Sequence, residues 1–198
     1  MADDQPFRIV LAVSLLLLAP VGLYHRLRSQ ATGEPLDRRR EGLFVLVSLR
    51  LAGLLTALAV LAWLADPSWL AWAAVPLPAW VRWAGVGLVA AGGVLMTWTF
   101  RHLGRNLTDT VVTRREHTLV TTGPYRWVRH PFYGAAGFLL AGIALVTACW
   151  LPAVTGVTAL ALLVIRTGRE EGLLAERFGD EYRQYAGRTG RFLPRWRA

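Results

Sequence analysis

The twelve residues at 123–134 read GPYRWVRHPFYG and crowd two arginines, a histidine and two tyrosines into the entrance of an otherwise oily segment. Arg166 and Glu170 form a second polar group at the exit of the next apolar block. Four positions apart, they share one face if that block is helical. A carboxylate and a guanidinium at a membrane boundary are what a zwitterionic, amino-acid-like ligand requires. Pro131 biases His130 away from helical geometry and suits the first turn of a following helix. His130 would then stand near a helix N-terminus, where outward N–H groups favour anions. Plainer readings stand beside these. Tyr, Trp and Arg also gather in interfacial belts, and Arg166 with Glu170 also reads as a surface ion pair.

The elements that must position these residues come from the hydrophobic blocks. About 20 apolar residues cross a bilayer as helix, and five candidate spans follow, at 7–24, 42–65, 79–100, 132–149 and 151–168. The last two, split by Trp150 and Pro152, predict a tight helical hairpin. A single helix kinked at Pro152 would be too long for one bilayer. The first block lacks a small-x-small cleavage site and is expected to be retained. Arg8 and Arg82 lie near helix ends and can snorkel, whereas Arg50 sits deeper and needs a partner in the bundle or a polar cavity. The fold class is therefore all-α, a multi-pass membrane helix bundle.

All 22 basic residues are arginine, and most fall in three segments, 25–41, 101–131 and 166–198. The positive-inside rule turns those segments toward the cytoplasm. An outside N-terminus, five crossings and a cytoplasmic C-terminus are mutually consistent. Net charge of +9 on membrane-facing loops suits anionic lipid headgroups; no nucleic-acid-binding signature accompanies it. Cys149 stands alone, and the four histidines show no metal-ligand spacing. Residues 101–127 read as extended or looped chain, longer than an idle connection needs. Leu174, Phe178 and Tyr182 continue an apolar stripe at four-residue spacing, as of a helix leaving the bilayer and folding back over it.

Three pieces in this order, HTLVTTGPYRWVRHPFYG at 117–134, RTGREEGLL at 166–174 and FGDEYRQY at 178–185, resemble the isoprenylcysteine carboxyl methyltransferase family, itself related to the phospholipid N-methyltransferases. LGRN at 103–106 also looks like bacterial members. The resemblance covers about residues 101–194, and the first two helices carry no mark of it. The apolar blocks place three N-terminal transmembrane helices in 1–100, and the resemblance implies a methyltransferase core in 101–198, whose cytoplasmic loop and C-terminal amphipathic helix cover a cofactor pocket. It also implies S-adenosyl-L-methionine as cofactor and a lipophilic methyl acceptor, most simply a carboxylate such as that of an isoprenylcysteine-like molecule.

By position, the resemblance lays His117, Thr118, Leu119 and Val120 along the adenosine. Tyr125, His130, Pro131, Phe132 and Tyr133 complete the pocket, Glu170 meets the methionyl ammonium, and Arg166 faces the acceptor. No metal and no nucleic acid enter this reading, and oligomeric state is not legible. An arginine-only, alanine-rich composition suggests a bacterial inner membrane. A phospholipid amine or small thiol as acceptor, a sterol-type membrane reductase and a non-enzymatic scaffold stay open at this point.

Overall fold

The computed structural model describes residues 4–30, 43–104 and 118–195. Five helices carry the fold: α1 (Gln5–Gln30), α2 (Leu43–Ala65), α3 (Ala79–Leu103), α4 (Pro131–Thr147) and α5 (Trp150–Arg188), with short 3-10 turns at Pro67–Ala73 and Gly123–Arg126. Four of the helices are long and apolar enough to cross a membrane, and α4, at 17 residues, is the shorter fifth. At 1.5 Å per residue α4 reaches about 25 Å, near the lower limit for a bilayer core. Large apolar side chains point outward, among them Leu16, Leu17, Leu61, Trp80 and Val94. Only a lipid-like surrounding makes such a surface favourable. The protein is an integral membrane helix bundle.

The hairpin forms as the blocks predict. Ala148 takes the left-handed conformation (φ 47°, ψ 45°) between α4 and α5, and its carbonyl accepts a 2.7 Å hydrogen bond from Val75 N. Helix α5 is longer than its membrane segment. It runs on from the membrane segment as far as Phe178, and a kink at Gly179 (φ 54°, ψ −123°) divides it from a second helical piece that ends at Arg188. At 1.5 Å per residue the stretch from Trp150 to Phe178 is about 43 Å long, so its end projects beyond the bilayer core. The break also ends the stripe of Leu174 and Phe178, because a left-handed residue re-aims everything after it. Tyr182 therefore lands in a buried position of its own.

Helices α3 and α4 make the most intimate pair, with α2 packing on α5 and α1 on α3. A Cβ at Gly142 would sit 2.7 Å from the Gly85 carbonyl oxygen and 2.8 Å from Val89 N. Backbone cannot retreat as a side chain can, so this crossing requires glycine. Gly142→Leu should cost at least about 1–3 kcal/mol and lower the melting temperature in detergent by many degrees. Gly87→Ala, where nothing lies within 4 Å, should melt like the parent.

The intramembrane arginines differ from expectation in two cases. Arg82 does not snorkel: it is 3% exposed, pairs with Asp4 at 2.8 Å, donates to the Val146 carbonyl at 3.0 Å and lies over the Phe7 ring at 3.9 Å. A carboxylate, a carbonyl and an aromatic face reached within the bundle hold it there in place of a bent side chain at the interface. Arg50 is exposed on α2, not enclosed in the bundle; its long stem lets the head reach toward the nearer membrane face. Arg8 donates to the Leu64 and Ala65 carbonyls, closing the open end of α2.

Candidate active site

The site is assembled where α4 begins and α5 emerges. Pro131 occupies the first turn of α4 with His130 as the non-helical residue before it (φ −123°, ψ 60°), as its lack of an N–H and its effect on its neighbour dictate. That geometry sends Tyr133 toward α5, where its hydroxyl donates a 2.7 Å hydrogen bond to Glu170 Oε2. Glu170 keeps 31% of its side-chain surface exposed. Arg166, one turn earlier on the same helix, is half-buried and acts electrostatically on the Tyr133 hydroxyl together with Glu170. The acid, the phenol and the guanidinium thus converge from two helices.

Aromatic rings wall this group. His130 is buried and stacks on Tyr133 at 5.2 Å with planes 6° apart, while Phe192 from the C-terminal segment leans on both rings at 5.8 and 6.4 Å. Tyr125 presents its backbone carbonyl to the Tyr185 hydroxyl at 2.7 Å. Burial, reinforced by the charge of Glu170, pushes the Tyr125 phenol well above its usual range, so it remains a protonated donor. Phe132 turns the other way, toward Phe100 of α3 at 6.0 Å, and Pro131 is fully buried.

The neighbouring acid, Glu171, points to a different place because successive helical residues are about 100° apart. Its Oε1 accepts from Arg129 Nε at 2.8 Å, meets His130 Nε2 at 3.1 Å and accepts from Arg191 Nε at 3.2 Å. Burial by itself would raise its pKa, yet the hydrogen bonds from Arg191 and Arg129 hold it at about 2. A depressed carboxylate contributes stability that is complete above its ordinary value of 4.5 and is lost as pH falls through about 2. The parent should therefore lose roughly 3 kcal/mol of stability across that acid window. Glu171→Gln should be destabilised at neutral pH and show a flatter slope, measurable by melting curves from pH 5 downward.

The sequence profile of the isoprenylcysteine carboxyl methyltransferase (ICMT) family matches residues 85–176, from within α3 to the acids of α5. Over these residues the chain is similar to the isoprenylcysteine carboxyl methyltransferase family. Among relatives of this ICMT segment, the cobalt-zinc-cadmium resistance protein CzcN of Cupriavidus metallidurans is 42% identical over 87 residues, covering 41% of this chain and 38% of the relative. Protein-S-isoprenylcysteine O-methyltransferase B of Arabidopsis thaliana is 31% identical over 116 residues, covering 54% of this chain and 56% of the relative. The solved structure of the eukaryotic intramembrane Ras methyltransferase ICMT superposes with a TM-score of 0.50 at 28% identity, covering 58% of this chain and 42% of that one. The matches thus span about two fifths to a little over half of each relative.

Of the site residues expected from the ICMT resemblance, Tyr133, Glu170, Arg166, His130 and Tyr125 are brought together. Phe132 and Pro131 support the entrance of α4 from behind. Thr118 is exposed while Leu119 and Val120 are half-buried in irregular chain. His117 lies outside the described residues. Sequence reasoning missed Arg129, Glu171, Arg191 and Phe192. Glu171 had a signal, as the second acid of the quoted EE pair; Arg191 and Phe192, beyond the profile match, had none.

Proposed function

We propose that the protein is a membrane methyltransferase that uses S-adenosyl-L-methionine and transfers its methyl group to a lipophilic carboxylate of the isoprenylcysteine type. The observation that carries this reading is the convergence of Glu170, Tyr133 and Arg166 at the mouth of the α4–α5 hairpin, inside the segment that matches the family. The residues fit such a cofactor. Glu170 offers an accessible carboxylate to an ammonium, and Tyr133 fixes its orientation from the other oxygen. The His130 and Tyr133 rings supply the polarizable wall that a sulfonium favours, and the N-terminus of α4 suits a carboxylate.

When bound, the cofactor supplies a sulfonium methyl already activated for in-line displacement. The protein's task is then alignment and exclusion of water, which can supply on the order of 7–11 kcal/mol of the barrier. An acceptor carboxylate is ionised at neutral pH, so no base is required. Its oxygen forms the new C–O bond as the S–C bond breaks, and the two charges cancel in ester and thioether. Arg166 orients the acceptor and offsets its desolvation. The arginine distribution supports a cytoplasmic face for this site and an outside N-terminus.

Calorimetric titration of the detergent-purified protein with S-adenosylhomocysteine tests the reading, followed by labelled methyl transfer to an isoprenylated cysteine and to a phospholipid amine. Saturable binding and carboxylate methylation are expected. Absence of binding in a folded sample would discard the methyltransferase reading, and transfer to the amine alone would discard the carboxylate.

A further inference from the structure

A second polar and aromatic cluster, outside the proposed reaction, lies where α3 ends and the turn at Gly123–Arg126 settles on it. Trp98 and Trp127 meet edge to face at 5.5 Å, yet they stay 37% and 42% exposed. The Arg126 guanidinium lies over the Trp127 ring at 4.7 Å. Arg101 and His102 follow Trp98 by three and four positions and so flank it on the helix surface. Arg101, His102 and Arg126 are all exposed. The cluster is built into the fold. His102 packs edge-on against Trp98 at 6.1 Å, and its Nδ1–H donates to the Trp98 carbonyl at 3.0 Å. The imidazole then covers Gly123 (φ 60°), where a Cβ would run into the ring. Only glycine lets the turn come down on α3 here, and that seat brings Arg126 and Trp127 to Trp98.

The chemistry of the cluster selects a ligand. A guanidinium laid on an indole turns its flat side to the ring and keeps its N–H edge for an acceptor in its own plane. That edge matches two oxygens of a phosphate. Tryptophan rings settle at the headgroup level of a bilayer, and Val94, one turn before Trp98, is exposed on the lipid-facing side of α3. The patch therefore joins a positive rim to an oily wall. A soluble phosphate would use only the rim and a neutral membrane only the wall, whereas an anionic phospholipid uses both.

We propose that Trp98, Arg101, Arg126 and Trp127 form a binding site for an anionic phospholipid. Its phosphate meets the edge of Arg126, with the charge of Arg101 added, and its glycerol and upper acyl chain lie against the two indoles. The lipid is a bound ligand there, not a methyl acceptor, and the site stands on this cluster independently of the methyltransferase reading. The arginine distribution turns this end of the bundle toward the cytoplasmic leaflet, where anionic lipids are enriched. Arg126 and Trp127 lie between Tyr125 and His130 in the chain, so the lipid also fastens the segment that carries those two residues.

The test is native mass spectrometry of the whole chain in a neutral detergent, titrated with phosphatidylglycerol or phosphatidylcholine, beside Arg126→Gln, Arg101→Gln and Arg183→Gln. Phosphatidylglycerol should form a saturable adduct roughly 10-fold or more tighter than phosphatidylcholine, and Arg126→Gln should weaken it by a similar factor. Arg183→Gln, at an exposed arginine of the C-terminal piece, should stay within about two-fold of the parent. Inorganic phosphate should not displace the lipid. Equal binding of the two lipids would reduce the cluster to a general interfacial anchor and overturn the proposal. Equal losses in Arg126→Gln and Arg183→Gln would overturn it as well, because diffuse charge would then explain the adduct. Displacement by inorganic phosphate would reassign the cluster to a soluble anion and remove the lipid. Should Arg126→Gln fail to fold, Arg101→Gln decides: weakened binding of phosphatidylglycerol supports the site and unchanged binding overturns it.

Discussion

Glu170→Ala is expected to weaken S-adenosylhomocysteine binding by roughly 10- to 100-fold, the most damaging single change to the cofactor site. A charge-assisted hydrogen bond contributes about 1.5–3 kcal/mol, against about 1 kcal/mol for a neutral one. Glu170 sits at the upper end for a half-exposed group because the Tyr133 hydroxyl fixes the carboxylate by one oxygen at 2.7 Å. Glu170→Gln keeps the shape and a carbonyl for Tyr133 and should recover only part of the loss. Tyr133→Phe, which frees the acid to rotate, should cost less, on the order of 1 kcal/mol. Calorimetry of the three variants separates these effects. Parent-like affinity in Glu170→Ala would remove the acid from the cofactor site.

Arg166→Ala should behave in the opposite manner, leaving S-adenosylhomocysteine affinity within a few-fold of the parent while turnover falls by roughly 10²–10³-fold. That magnitude is typical when one preorganised charge partner of a reacting group is removed from a partly desolvated site. Arg166→Lys should recover little, because a point charge on a flexible stem does not reproduce a planar two-point grip on a carboxylate. The distinguishing measurement is parallel binding and steady-state kinetics with a carboxylate acceptor. If Arg166→Ala lost cofactor binding as fully as Glu170→Ala, the guanidinium would belong to the cofactor and the acceptor would be oriented by another group.

Glu170 and Glu171 show how little chain separates two tasks. Helical rotation sends one acid to Tyr133 and the other to Arg129, His130 and Arg191. A substitution at either position would weaken the protein for different reasons. Glu171→Gln should appear first in the acid limb of stability, and Glu170→Gln first in cofactor affinity.

The amino-acid sequence alone determined what depends on near neighbours. Apolar block length dictates which segments become membrane helices, because unsatisfied backbone is intolerable in lipid. Pro131 dictates where α4 begins, through its fixed φ and missing N–H. Four-residue spacing dictates that Arg166 and Glu170 share a face. The family text at 117–134 and 166–185 likewise sat in contiguous motifs, which name Tyr133, Arg166 and Glu170, the residues that the fold gathers at the mouth of the α4–α5 hairpin. Tertiary structure alone decided the rest. Arg82 is buried because Asp4 and the Val146 carbonyl come from α1 and α4, and no local pattern on α3 records their arrival. Arg129 meets Glu171 across 42 positions by way of the α4–α5 hairpin, and Arg191 meets it across 20 by way of the kink at Gly179 and a segment that pairs with residues 127–130 through N–H and C=O groups common to every residue. Periodicity reports which face of an element is apolar; it carries no information about which distant carboxylate or carbonyl will satisfy a particular guanidinium.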